Sequence, residues 1–459
     1  GSQVLDRICE EILPRINNKI NKLTLDQHSI KSTLRAIVYP QLYSLSLVNL
    51  QPDTLLPYLT GNTKLHYLLT NQITHLDINI IDRRTTALND ENESEIFSLI
   101  LSTGKCLTDL TFRQWFRCTN SRISIFYMPS TSCVSSTLTK LNINVDTFDD
   151  CLYILDGRLD SLSVLIINIR EISTPLSNID NTKQLRKLKC FSLLAYSRTY
   201  FYDSRVVPLL CRMSNLEELT LYLAITRIES TYIDGTHLYD GILIHMPRLT
   251  KFNFCINTLV FNKDIINLPS NNDIQHSFVK RGYQQIDSYT HKESEKGSTC
   301  HIYSLPYQFD CFYVNCHFHG GIFDKVQCVM MGEIEHPFEH ELFQIISHSF
   351  PFLHTLVICN YQPQKRKQHS STIVTFPYLR SLDLQRTNVD YGAQFLCDTK
   401  IHLPSLLNLI ITYESLAMIT NNFTNHMTRL TCARLQRLII CGSYVLPENF
   451  HLYFPSCYM

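Results

Sequence analysis

Six residues between positions 300 and 319, namely Cys300, His301, Cys311, Cys316, His317 and His319, are of the types that hold zinc. Zinc is a borderline-soft ion that takes thiolate sulfur and imidazole nitrogen in a tetrahedron, and its structural sites usually show closely spaced ligand pairs. These six match no strong zinc spacing, so the expectation is no metal, with buried cysteines and surface histidines instead. Carboxylates come next. Asp149-Asp150 and the group Glu333, Glu335 and Glu339 suggest paired general acids and bases, yet no nucleophile, cofactor loop or pocket signature accompanies them. Gly320-Gly321 leads into Ile322-Phe323-Asp324-Lys325 without the remaining glycines or the lysine-serine or lysine-threonine ending of a phosphate loop, so it reads as a tight turn. The expectation is no enzyme: no catalytic residues, no cofactor and no metal.

Charge and cysteine content narrow the field further. The 459 residues carry 41 lysines and arginines against 41 aspartates and glutamates, a formal charge of zero with only 18% charged residues. No field exists to attract a polyanion, so neither nucleic acid nor a membrane surface is an expected partner. No apolar run approaches the roughly 18 residues that read as a membrane span. The 17 cysteines are odd in number and scattered, which points to free thiols and a cytoplasmic or nuclear location. The chain opens Gly1-Ser2, which looks like the scar of an expression tag.

The elements that would position any site follow from a repeat. An apolar figure, mostly leucine or isoleucine at positions one, four and six, recurs along the chain. It begins at Ile20, Leu23, Leu25 and continues as Leu42, Leu45, Leu47; Ile73, Leu76, Ile78; Leu107, Leu110, Phe112; and Leu138, Leu141, Ile143. Then come Leu162, Leu165, Ile167; Leu188, Phe191, Leu193; Leu216, Leu219, Leu221; and Leu249, Phe252, Phe254. After a gap it resumes with a weaker copy at Val326, Val329, Met331, followed by Leu353, Leu356, Ile358; Leu379, Leu382, Leu384; Leu406, Leu409, Ile411; and Leu435, Leu438, Ile440. The spacing overlaps and slightly exceeds the range of about 20–29 residues typical of leucine-rich repeats.

On a strand, positions four and six point together into a core while three, five and seven point out. The predicted fold is α/β, a leucine-rich-repeat solenoid (horseshoe) with a parallel concave β-sheet, outer helices and irregular long repeats. Return helices are suggested by Val206, Leu209, Leu210, Met213 and by Phe338, Leu342, Ile345, Ile346. Most copies lack the asparagine expected three places after position six, with Leu50, Ala224 and Thr387 in its place, so no regular asparagine ladder is expected. The predicted organisation is an N-terminal capping helix over 1–20, repeats over 21–256, an irregular insertion or loop over 257–325, and repeats with a C-terminal cap over 326–459.

The segments between repeats carry a more specific signal. Asp273-Ile274-Gln275, the stretch from His301 to Phe309, Gly320 to Lys325, Pro337 to Glu341 and Phe350-Pro351-Phe352-Leu353 form one group. Lys367 to Ser371, Val389-Asp390-Tyr391, Tyr413 to Leu416, Asn421 to Thr424 and Pro447 to His451 form another. Together they resemble the leucine-rich-repeat region of invertebrate F-box proteins. That resemblance implies a substrate receptor, in which an N-terminal F-box docks on the adaptor of a cullin-based ubiquitin ligase and the repeats hold the protein target. The F-box itself does not occur in this chain, so adaptor docking would need a segment outside it.

The outward strand positions are the expected contact surface. The preferred patch is Tyr222 together with Thr355, Val357, Cys359, Asp383, Gln385, Asn408, Ile410, Thr412, Arg437 and Ile439, with a C-terminal segment from Phe450 to Tyr458 as an alternative cover for its aliphatics. Two other readings stay open. An extracellular recognition or adhesion receptor would carry glycan on Asn92 or Asn422, both in Asn-X-Ser/Thr triplets, and an enzyme-wrapping inhibitor would need a face charged opposite to its target.

Overall fold

The computed structural model describes residues 5–457 apart from 6, 37, 62, 81–90, 115–122, 130, 177–181, 262–267, 284, 294–296, 334, 366–371, 398–399, 443–444, 446 and 448–449. Lys367 to Ser371 and Glu448-Asn449, which carry part of the family resemblance, lie outside these. The chain is mixed α/β and divides into two compact units, Gly1–Ser304 and Leu305–Met459.

In the first unit every copy of the apolar figure becomes a strand. These are β1 (Lys22–Leu25), β2 (Ser44–Leu50), β3 (His75–Ile80), β4 (Asp109–Gln114), β5 (Lys140–Thr147), β6 (Val164–Glu171), β7 (Cys190–Thr199), β8 (Glu218–Ile228) and β9 (Lys251–Phe261). They pair in parallel and in chain order. The register aligns position four throughout: Leu23 pairs with Leu45, Leu45 with Leu76, Leu76 with Leu110, Leu110 with Leu141, and so on through Leu165, Phe191 and Leu219 to Phe252. From Leu45 to Leu219 these side chains are all buried, so a slip of one residue in any strand would turn its leucines out to water. That penalty is what fixes the register.

Helical returns cover the other side of this core where the spacing allows, as in Pro52–Thr60, Lys64–Asn71 and Glu91–Thr103. Turns of helix at Ile8–Ile12, Leu13–Ile16 and Asn17–Lys19 occupy the predicted N-terminal helix. Cys9 there is buried, while Ile12 and Ile16 of the same apolar stripe are exposed.

Where the figure is lost after β9, the chain builds a helix, Asn271–Val279, and a hairpin of β10 (Ile286–Glu293) and β11 (Gly297–Ser304). β11 runs antiparallel to β9, and β10 lies outside it as the edge. Paired this way, the segment has no reason to keep a leucine figure suited to parallel neighbours. The helix begins with a reciprocal capping box between Ser270 and Asp273, which satisfies backbone donors that the first turn leaves unbonded. It packs closely on the helix Gly235–Gly241. Gly235 N–H donates to Ser277 Oγ at 2.8 Å. A Cβ at Gly235 would sit 2.7 Å from Ser277 O and Phe278 N, both backbone atoms. Gly235→Ala is therefore expected to cost about 1–3 kcal/mol, measured as a shift in urea unfolding followed by circular dichroism. A loss under about 0.5 kcal/mol would mean the two helices part easily.

The second unit carries a six-stranded parallel sheet in the order β12 (Cys311–Val314), β13 (Cys328–Gly332), β14 (Thr355–Asn360), β16 (Ser381–Thr387), β18 (Asn408–Thr412) and β19 (Arg437–Cys441). Two short strands, β15 (Val374–Thr375) and β17 (Ile401–His402), pair separately. Position four again aligns, from Phe312 through Val329, Leu356, Leu382 and Leu409 to Leu438. Helices His340–Ser349, Val389–Leu396, Tyr413–Ile419 and His426–Cys432 fill the returns. At the β12 end, Phe312, Phe318, Phe323 and Phe350 stack with ring centroids 4.7 to 6.2 Å apart, a preferred aromatic range.

Candidate functional site

Alternation along each strand of the second sheet places one set of side chains in the core and leaves the other on the opposite face. Because the strands are parallel and in register, the outward residues form rows across the sheet. One row reads Thr355, Ser381, Asn408, Arg437, and the next reads Tyr313, Met330, Val357, Asp383, Ile410, Ile439. Every member of the second row is half-buried. It is an apolar stripe interrupted by one carboxylate.

Asp383 is the chemically distinctive member. Burial pushes its carboxyl above its ordinary value; the Gln385 N–H, which donates to Oδ1 at 3.0 Å, and the Arg386 guanidinium pull it partly back. Cys359 lies toward the C-terminal end of the neighbouring strand β14 and Cys441 at the end of β19, two strands away; burial raises both thiols, the Asp383 charge adds to the effect, and the Arg386 guanidinium opposes it at Cys359. Gln385, Arg386 and Arg437 are exposed, and Thr412 is half-buried. A desolvated carboxylate gains most from a partner that brings a cation or a strong hydrogen-bond donor.

The first sheet differs. Its outward charges pair across neighbouring strands: Lys140 with Asp109 at 2.9 Å, Lys251 with Glu218 at 3.1 Å, and Arg170 with Asp146. Such partly exposed pairs add little stability. Tyr222, the one residue of the predicted patch in this unit, is only 4% exposed and packs against Tyr196 with ring centroids 4.7 Å apart. The expectation that it lies open at an outward position fails, because β8 and β9 are long and their central outward residues are covered. Cys255 and Asn257 of β9, on the same outward side, are buried as well.

Among its described residues, the C-terminal segment packs elsewhere than on this face, and Tyr458 lies outside them. Phe450 packs on Phe423 at 5.6 Å, Tyr453 Oη donates to Asn425 O at 2.9 Å, and Cys457 Sγ donates to Leu435 O at 3.2 Å. These contacts lie in the returns before β19, while Ile410 and Ile439 stay half-exposed.

Among the candidate acid and base residues, Asp149, Asp150 and Glu339 have structural roles. Asp150 closes a capping box with Thr147 on the helix Phe148–Ile154 and accepts from Ile125 N at 2.6 Å and Phe126 N at 2.9 Å. Asp149 pairs with Arg205 at 2.9 Å, both side chains almost wholly buried. Glu339 accepts from Lys365 N at 3.0 Å. Among the candidate metal ligands, Cys300, His301 and Cys311 are buried, Cys316 and His317 are half-buried and His319 is exposed, so the expectation of surface histidines fails for His301 and that of buried cysteines is met only in part at Cys316. Its Nε2 lies 3.1 Å from Cys255 Sγ on β9 and its Nδ1 2.8 Å from Tyr289 Oη on β10.

No family model matches the chain, and no curated protein does. Among solved structures it is similar to a chain of the crystal structure of the Rad7 and Elc1 complex in yeast, at 11% sequence identity over 98% of this chain and 85% of that one, with a TM-score of 0.29. Among the described residues no helix is long and apolar enough to cross a membrane.

Sequence reasoning missed Tyr313 and Met330 at the start of the apolar row. The signal was present as Phe309, Phe312 and Val314, a copy of the figure with aromatics in place of leucine.

Proposed function

We propose that this chain is a protein-recognition module, a leucine-rich-repeat solenoid that serves as the target-binding part of an F-box-type ubiquitin ligase receptor in the cytoplasm or nucleus. The observation that carries the binding role is the half-exposed row Tyr313, Met330, Val357, Asp383, Ile410 and Ile439, apolar on both sides of a single desolvated carboxylate. The target this row fits is a protein segment that presents aliphatic side chains around one lysine or arginine. The ligase connection rests on the resemblance carried by the segments between repeats, and adaptor docking is assigned to an F-box preceding this chain. Neither nucleic acid nor membrane has a part in this reading, and nor does catalysis.

The test is comparative affinity capture from cells with the longest natural form of the protein, beside Asp383→Lys and Ile410→Glu. Residues at the centre of an interface commonly cost 2 kcal/mol or more on substitution, about a 30-fold loss. Proteins enriched by the natural chain should fall by at least about that factor in both variants while the ligase adaptor stays bound. Targets that survive both substitutions would refute the binding face, and a natural form that never captures the adaptor would refute the ligase role.

A further inference from the structure

We propose that Cys316, Glu333 and His336 form a zinc site at the C-terminal ends of two neighbouring strands. The proposal stands whether or not the face described above binds a protein. β12 ends at Val314 and β13 at Gly332, and their register pairs Val314 with Met331, so Cys316 and Glu333 leave the sheet side by side. His336 follows three residues later. One ligand atom from each of the three lies within 4.8 Å of the others, and Cys316 Sγ is 3.1 Å from Glu333 Oε2. Zinc bonds of about 2.0–2.3 Å in a tetrahedron put neighbouring donors roughly 3.4–3.6 Å apart, so closing on an ion needs shifts on the order of 1 Å.

The backbone around each ligand is already tied down. Asn315, itself buried, accepts from His317 N at 3.0 Å, and Glu333 N donates to Cys359 O at 3.2 Å. Asn360, fully buried, donates from Nδ2 to His336 O at 2.8 Å. Glu335 N donates to Glu333 Oε1 at 3.2 Å, which leaves Oε2 directed to the thiol. Hydrogen bonds of this kind behind the ligands are what orients a metal site.

The donor chemistry selects the ion. One thiolate, one carboxylate and one neutral imidazole suit zinc, whereas calcium and magnesium require oxygen ligands throughout. On binding, the Cys316 S–H bond breaks, the sulfur bonds to zinc and the proton passes to solvent. The two negative charges then balance the ion. Water fills the fourth position, and His317 Nδ1, 2.9 Å from Cys316 Sγ, is a neighbouring donor to the thiolate side of the site. A thiol–carboxylate hydrogen bond alone would explain two of the three groups; zinc also explains the imidazole within reach of both.

The test uses the full chain, stripped with chelator and titrated with zinc by calorimetry, and with cobalt by absorbance. One equivalent should bind with release of a proton, and cobalt should show a near-ultraviolet thiolate charge-transfer band with tetrahedral visible bands. Cys316→Ser should abolish the charge-transfer band, and His336→Ala, an exposed substitution that leaves the fold intact by circular dichroism, should weaken zinc binding by at least about 100-fold. No stoichiometric binding, or binding undiminished in either variant, overturns the site; the remaining cysteines could then account for any zinc retained.

Discussion

Arg205→Ala is expected to destabilise the first unit by about 3–5 kcal/mol, more than the close packing at Gly235 puts at stake. The Arg205 guanidinium lies 2.9 Å from Asp149 Oδ2, with side-chain exposures of 6% and 0%. It also donates to Ser173 O at 2.7 Å and sits over the Phe148 ring at 4.7 Å. Removing it takes away the cation that compensates a buried carboxylate. The ion pair itself is not the source of the stability. Replacing both partners with apolar groups, as in Asp149→Leu with Arg205→Met, should recover most of the loss, because neither charge then has to be desolvated. Urea unfolding of the two variants decides the matter. A single variant within about 1 kcal/mol of the natural chain would show that the pair is solvated.

Acidification should weaken the same unit through His301. Burial, reinforced by the Arg198 guanidinium, pushes its pKa down to about 3 from an ordinary 6.5. Cys255, Tyr289 and Tyr303 surround the ring. The folded chain holds the imidazole neutral while the unfolded chain takes up a proton near 6.5. Stability from this residue is therefore fully present above that pH and is lost as pH falls toward 3. At pH 5 the loss is about 2 kcal/mol, from the linkage between proton uptake and unfolding. Other groups titrate over this range, so the informative quantity is a difference. Urea midpoints between about pH 5 and 7.5 should fall less steeply for His301→Gln than for the natural chain, and equal slopes would mean that His301 is charged in the native state.

The strands were legible because a single physical rule generates them. Each copy of the apolar figure, including the weak one at Val326, Val329 and Met331, starts two residues before a strand and places its fourth residue in the shared register. What escaped notice obeyed another rule. β10 and β11 pair antiparallel, so their residues answer to a hairpin rather than to parallel neighbours, and β12 builds its core side from phenylalanine. The outward face was half legible. Periodicity identifies which side of a strand faces away from the leucines, and Val357, Asp383, Ile410 and Ile439 are half-exposed as that predicts. It does not reveal what else folds over that side, and Tyr222 is buried for this reason. Spacing along the chain likewise does not bring Cys316 to Glu333 and His336, which it meets through the pairing of β12 with β13.

The hairpin that follows β9 also restricts how this protein can change in length over generations. From β1 to β9 each strand's neighbour in space is its neighbour in the chain, so duplicating one strand with its return would leave the other pairings intact. Beyond β11 the edge belongs to β10, which joins the sheet through a hairpin rather than through a parallel return, so a copied strand with its return has no equivalent neighbour there. Tandem duplication can thus lengthen the first unit from the inside, while the hairpin acts as a terminator at its far end.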